Sequence, residues 1–184
     1  NLSTVDTISE FHKRFKNTDA YKKNGNKVEE RAIGIKLGKQ IGEEVAMSSD
    51  TGAVGINSIV KNNPDSILHT HPYDSKTDNL RFSDADIQEL VNGSFQKAFL
   101  VCGDELATMD MSSVKPAQFK NLREDILNIY QAVCARYGAQ IKDGAIGGLD
   151  TISEEYQDEA TKAINTLVKS RLQELGGDLL FDKI

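Results

Sequence analysis

The chain has 184 residues and a net charge of −6, with 27% charged and 39% hydrophobic residues. That balance suits one globular domain with a substantial core. No apolar run approaches the roughly 20 residues of a membrane helix. The acidic charge argues against a nucleic-acid binder, whose affinity rests on a basic face. Basic residues gather near Lys13, Arg14, Lys16, Lys22, Lys23 and Lys27, but polar residues interleave them, as on a solvated helix and loop.

In chain order, Val5, Ile8, Phe11 and Phe15 recur at helical spacing behind Ser3 or Thr4, which predicts an amphipathic helix over 3–16. The polar segment 17–27 reads as loop. RAIGIKLG, EEVAMSS and AVGINSIV, within residues 30–61, read as strands joined by tight turns. Ile67 and Leu68 form a short buried strand that runs into His69 and His71. SDADIQELVNG (83–93) reads as a helix capped by Ser83, with acidic residues in its first turn. KAFLVCG and ELATMDM read as two further strands.

From residue 116 the period is helical. Phe119, Leu122, Ile126, Ile129, Tyr130 and Val133 form one stripe, stopped at Gly138. After the connector DGAIGGLD, a second helix at 153–175 carries Tyr156, Ala160, Ile164, Leu167, Val168 and Leu172 and ends at Gly176 and Gly177. The prediction is an α+β fold. Residues 1–115 form its core, including the N-terminal helix, and 116–184 form a helical C-terminal extension packed on the same domain. Cys102 and Cys134 sit in apolar patterns and read as small buried hydrophobes, without a disulfide framework. The chain opens on Asn1 and reads as an excised fragment or a processed product, so the lack of a charged-then-apolar leader carries little weight, and a soluble part of a larger cytoplasmic or secreted protein is the expectation.

Two of the three histidines are His69 and His71. Strand residues two apart share a face, so one rigid element offers two imidazoles to one point. Two nitrogens and a carboxylate leave the fourth position of a tetrahedral zinc shell open, the arrangement of catalytic zinc. Pro72 closes the strand, and a polar loop leads to Ser83-Asp84-Ala85-Asp86. The helix dipole favours a carboxylate in that first turn, where Asp86 can face back over the strand, and a bound metal keeps it ionised. Asp74 and Asp78 in the loop are competing carboxylates. An isolated pair of histidines also fits a solvated strand end, and it is the following carboxylate that changes the reading. His12 lies in the N-terminal helix, far from this group in sequence, and reads as surface or partly buried.

His69-Thr70-His71-Pro72 followed by Ser83 and Asp86, the pattern HTHP then S-x-x-D, resembles the JAB/MPN (JAMM) zinc metalloprotease motif. The resemblance covers about residues 28–112, and the helix and the apolar strand AFLVCG after the motif are similar to the family's order of elements. It implies a central mixed β-sheet of the JAB/MPN type flanked by helices. Zinc would sit on His69, His71 and Asp86, and Ser83 would help hold the tetrahedral intermediate. The implied activity is hydrolysis of a peptide or isopeptide bond by a metal-activated water.

A general base is implied too, a glutamate opening an upstream strand. Glu30, followed by Gly34, Leu37 and Gly38, has a similar rhythm, with Glu29 on the opposite strand parity. Glu43 and Glu44, at the start of EEVAM, stay open as alternatives. Residues 72–85 place 14 positions between His71 and Asp86, more than the family usually has, and YDSKTDNLR is a loop that can absorb the excess. The implied partner is a protein or peptide substrate, ubiquitin-like proteins included, with no nucleic acid and no membrane. A domain of a larger bacterial toxin, effector or phage-type protein is a fitting context. The alternative is an inactive JAB/MPN-like scaffold that binds a protein partner. An amidohydrolase barrel needs about 250 residues of repeating strand–helix units, which this chain lacks, and structural zinc generally recruits four protein ligands.

Overall fold

The structure is a computed structural model and describes residues 3–16, 29–48, 58–71, 80–82, 86 and 95–184. Helix α1 (Thr4–Phe15) starts at a reciprocal cap. The Ser3 hydroxyl accepts from the Asp6 amide at 3.3 Å, and the Asp6 carboxylate accepts from the Ser3 amide at 3.2 Å. Strands β1 (Glu29–Lys36) and β2 (Lys39–Ser48) form a hairpin. Strands β3 (Ser66–Thr70), β4 (Lys97–Cys102) and β5 (Glu105–Asp110) follow. A 3₁₀ turn at Pro116–Gln118 leads into α2 (Phe119–Arg136), a small hairpin of β6 (Ile141–Lys142) and β7 (Ala145–Ile146), α3 (Glu154–Glu174) and β8 (Asp178–Lys183).

The main sheet has six strands in the order β2-β1-β3-β4-β5-β8, and its only parallel pair is β3 with β4. It is therefore a mixed sheet in an α+β fold flanked by helices. Parallel neighbours cannot be joined by a tight turn, so a crossover connection links β3 to β4. That crossover carries Asp86.

Strand alternation sorts the core into two faces. Ile33, Ile35, Leu68, Phe99 and Val101 meet Ile8 and Phe11 of α1. Ala32, Ile67, Leu100, Ala107 and Met109 point the other way, against Leu122 and Ile126 of α2 and Ile164 and Val168 of α3. His69 shares the parity of Ile67 and belongs to this second face.

Two segments differ from expectation. Ser58–Val60, the end of AVGINSIV, is a helical turn closed by the Asn62 and Asn63 amides on the carbonyls of Ile59 and Val60. Of its described residues, Ile59 is buried, at 2% exposure, while Val60 is exposed. A Cβ on Gly34 would stand 3.0 Å from Ile59 and 3.1 Å from Pro64, which is why β1 has glycine where this turn packs. Residues 53–57 lie outside the described ones.

Residues 116–184 are not helical throughout, because β8 completes the sheet beside β5. A Cβ on Gly177 would lie 2.6 Å from the Asp110 carbonyl, so glycine lets the chain turn closely from α3 into β8. Lys169 of α3 then ties that strand down, donating to Asp178 at 2.8 Å and to the Leu179 carbonyl at 2.6 Å. Cys102 and Cys134 are buried and not joined in a disulfide. Among the described residues, no helix is long and apolar enough to cross a membrane.

Candidate metal centre

Strand β3 is buried along its whole length and is clasped on both edges. His69 pairs with Ala32 of β1 on one side and with Leu100 of β4 on the other. The ladder continues one residue past the strand, where the His71 amide donates to the Val101 carbonyl at 2.9 Å. Thr70 is fully buried between the two histidines, and its hydroxyl accepts from the Arg31 amide at 2.9 Å. A β-branched residue bonded to the neighbouring strand holds the alternation, so both imidazoles emerge on one face.

The crossover brings Asp86, a helical residue, back over the end of β3. Its Oδ2 lies 3.2 Å from Nε2 of His69 and 3.2 Å from Nε2 of His71, and those two nitrogens are 3.3 Å apart. Side-chain exposures of 6% for His69, 12% for His71 and 15% for Asp86 describe a recessed group with one side still reachable. Its other flank is dry. The ring of Phe82 lies 6.0 Å from that of His69, and both Leu80 and Phe82 are buried. The Leu80 carbonyl accepts from the Asn165 side chain of α3 at 3.0 Å, which fixes the returning segment on the helical layer.

Burial raises the Asp86 pKa, but the opposing charge and hydrogen bond of His69, followed by those of His71, more than reverse it. The carboxyl is held well below the usual carboxylate range. Three donors therefore converge, one of them ionised. In a tetrahedral shell with bonds of about 2.0–2.1 Å, neighbouring donors are about 3.3 Å apart. The triangle has that size, so His69, His71 and Asp86 form a group that can hold a metal ion.

No family model, curated protein or solved structure matches the chain.

The other sequence-derived residues fall in different places. Glu30 lies on β1 opposite Met47 of β2, two positions before Ala32, the partner of His69. Its side chain lies outside the described part, as do Ser83, Asp74 and Asp78. Glu44 accepts from Arg31 at 3.0 Å and lies 4.0 Å from Arg14 of α1, so it is engaged on the opposite face of the sheet. Glu43 is exposed, where the β1–β2 register shifts between Ala32 and Gly34. His12 is buried, with Nε2 3.3 Å from the Asp104 carboxylate, in the α1 layer. Sequence reading overlooked Phe82 and Asn165. An aromatic residue alone in a polar stretch was a signal for the first. The second acts through a contact 85 residues away in sequence, and nothing local announces it.

Proposed function

We propose that this chain is a zinc-dependent metallopeptidase or isopeptidase of the JAB/MPN type. The observation that carries the reading is the His69–His71–Asp86 triangle, with sides of 3.2–3.3 Å and one accessible side. A set of two imidazoles and one carboxylate suits zinc, and the three ligands found among the described residues match the catalytic rather than the structural number. Zinc held there would polarise a carbonyl oxygen and lower the pKa of a water.

The remaining work falls to the chain. Glu30 belongs to the strand paired with β3, at the end where His71 emerges, and takes the proton from the attacking water. It delivers that proton to the leaving amine as the C–N bond breaks, leaving the water oxygen on the carbonyl carbon. Ser83, three residues before Asp86, donates to the carbonyl oxygen as negative charge develops on it. His69 is kept from rotating by Phe82 and by its place in a doubly paired strand. Substrates are proteins or peptides, ubiquitin-like proteins among them, and a larger bacterial toxin, effector or phage-type protein is a fitting context.

Incubating the zinc-loaded protein with peptide libraries and ubiquitin-like fusions tests this. Cleavage that stops with a chelator and returns with zinc is the expected result. Cleavage indifferent to chelation contradicts the metal mechanism. A zinc-loaded protein that binds such partners and cuts none is instead the inactive scaffold.

A further inference from the structure

A second concavity lies on the same helical side of the sheet. It is a cavity of ≈ 270 Å³ bordered by Leu127, Tyr130 and Cys134 of α2, by Ile146 to Leu149 of the β6–β7 hairpin and its exit, and by Arg81. Its volume falls just below the roughly 300–1,000 Å³ of drug-sized sites, which suits a side chain or two. Among the described residues of its lining, Arg81 supplies the only charge and none is acidic. The Arg81 guanidinium carbon stands 5.7 Å from the centre of the Tyr130 ring. Stacking of this kind occupies the flat of the guanidinium and leaves its edge N–H groups for an anion. Among the described residues Arg81 makes no ion pair.

Arg81 is bonded to Phe82, whose ring contacts His69 at 6.0 Å. The Arg81 backbone therefore lies within roughly 13 Å of the His69 ring, about four extended residues. Leu80 and Phe82 point into the core while Arg81 reaches towards α2. A single short segment thus borders both the metal centre and the pocket.

We infer that this pocket is a specificity subsite that takes an acidic side chain of the substrate, within about four residues of the bond that is cut. The apolar wall of Leu127, Ile146 and Leu149 receives the aliphatic stem, and Arg81 receives the carboxylate as a charge-assisted, two-pronged partner. Most of the lining comes from residues 127–149, beyond the stretch that resembles a known family, so the preference belongs to this chain. The inference rests on the metallopeptidase reading for its role, but the binding itself can be measured apart from hydrolysis.

The test is an NMR titration with two acetylated pentapeptide amides that differ only in a central glutamate or glutamine. The glutamate peptide is expected to bind about ten-fold more tightly, as one charged contact implies, with the amides of Gly147 and Gly148 among those that shift. Arg81→Gln is expected to erase the difference, and Arg81→Glu to transfer the preference to a lysine peptide, both with an unchanged circular dichroism spectrum. Equal binding of the two peptides by the native protein, or no binding of either, overturns the inference. The same titration on Asp86→Asn separates the two readings. A glutamate preference that persists there without hydrolysis in any form of the protein leaves the pocket standing and removes the enzyme. Hydrolysis by the native protein without such a preference does the reverse.

Discussion

Replacing Asp86 with alanine will weaken zinc binding by at least about 10³-fold, beyond the 10–100-fold typical of losing a residue that only supports a ligand. Among the described residues, Asp86 is one of three converging donors and the only anionic one. Without it, two imidazoles 3.3 Å apart remain, half of a tetrahedral shell with no anionic ligand to match the cation. The loss will also register as stability. Zinc at about 100 times its Kd adds about 2.7 kcal/mol to a native state that binds it. For a domain of this size that is a rise in Tm of roughly 5–10 °C. Thermal unfolding with and without zinc should show that rise in the native protein and none in Asp86→Ala. An Asp86→Ala protein that keeps the full zinc-dependent rise would move the third ligand elsewhere, and Asp74 and Asp78 in the preceding loop would be the residues to examine.

Glu30→Gln will keep zinc and lose turnover. Glutamine preserves the size of the side chain but cannot accept a proton, so kcat should fall by about 10²–10⁴-fold while zinc affinity and Tm stay at native values. The expectation is specific to this glutamate. Glu44→Gln removes an ion pair with Arg31 on the α1 side of the sheet, and should cost about 0.2–1 kcal/mol of stability with turnover unchanged. Glu43→Gln, at an exposed register shift, should alter neither. Steady-state rates of the three variants, each with its zinc content measured, decide the assignment. Native turnover in Glu30→Gln would hand the proton to another group.

How much of this was legible in sequence follows from the range of each interaction. The helices α1, α2 and α3 bury an apolar face at helical period, and the strands β1, β4 and β5 bury short apolar runs, so local pattern finds them. Strand β8 is different. Only Leu179 is buried, while Leu180 and Phe181 are exposed at the sheet edge, so no alternation marks it and pairing with β5 creates it. Ser58–Val60 differs because a helical turn is closed there by the Asn62 and Asn63 amides, which follow the apolar run that suggested a strand.

The site shows the same division. Two histidines on one strand face follow from alternation alone. The approach of Asp86 across 14 intervening residues depends on β3 and β4 being parallel, which forces a crossover that no local pattern states. The Asn165 contact with Leu80 and the pocket between Arg81 and α2 join distant segments and exist only in the folded chain.

The central claim is that one zinc ion sits on His69, His71 and Asp86. X-ray absorption at the zinc edge, on protein loaded with one equivalent and dialysed, measures it most directly. One zinc per chain is expected, with two imidazole nitrogens at about 2.0–2.1 Å and oxygen donors at about 2.0–2.2 Å completing the shell. A protein that retains no zinc, or a shell without the two-imidazole signature, would contradict it.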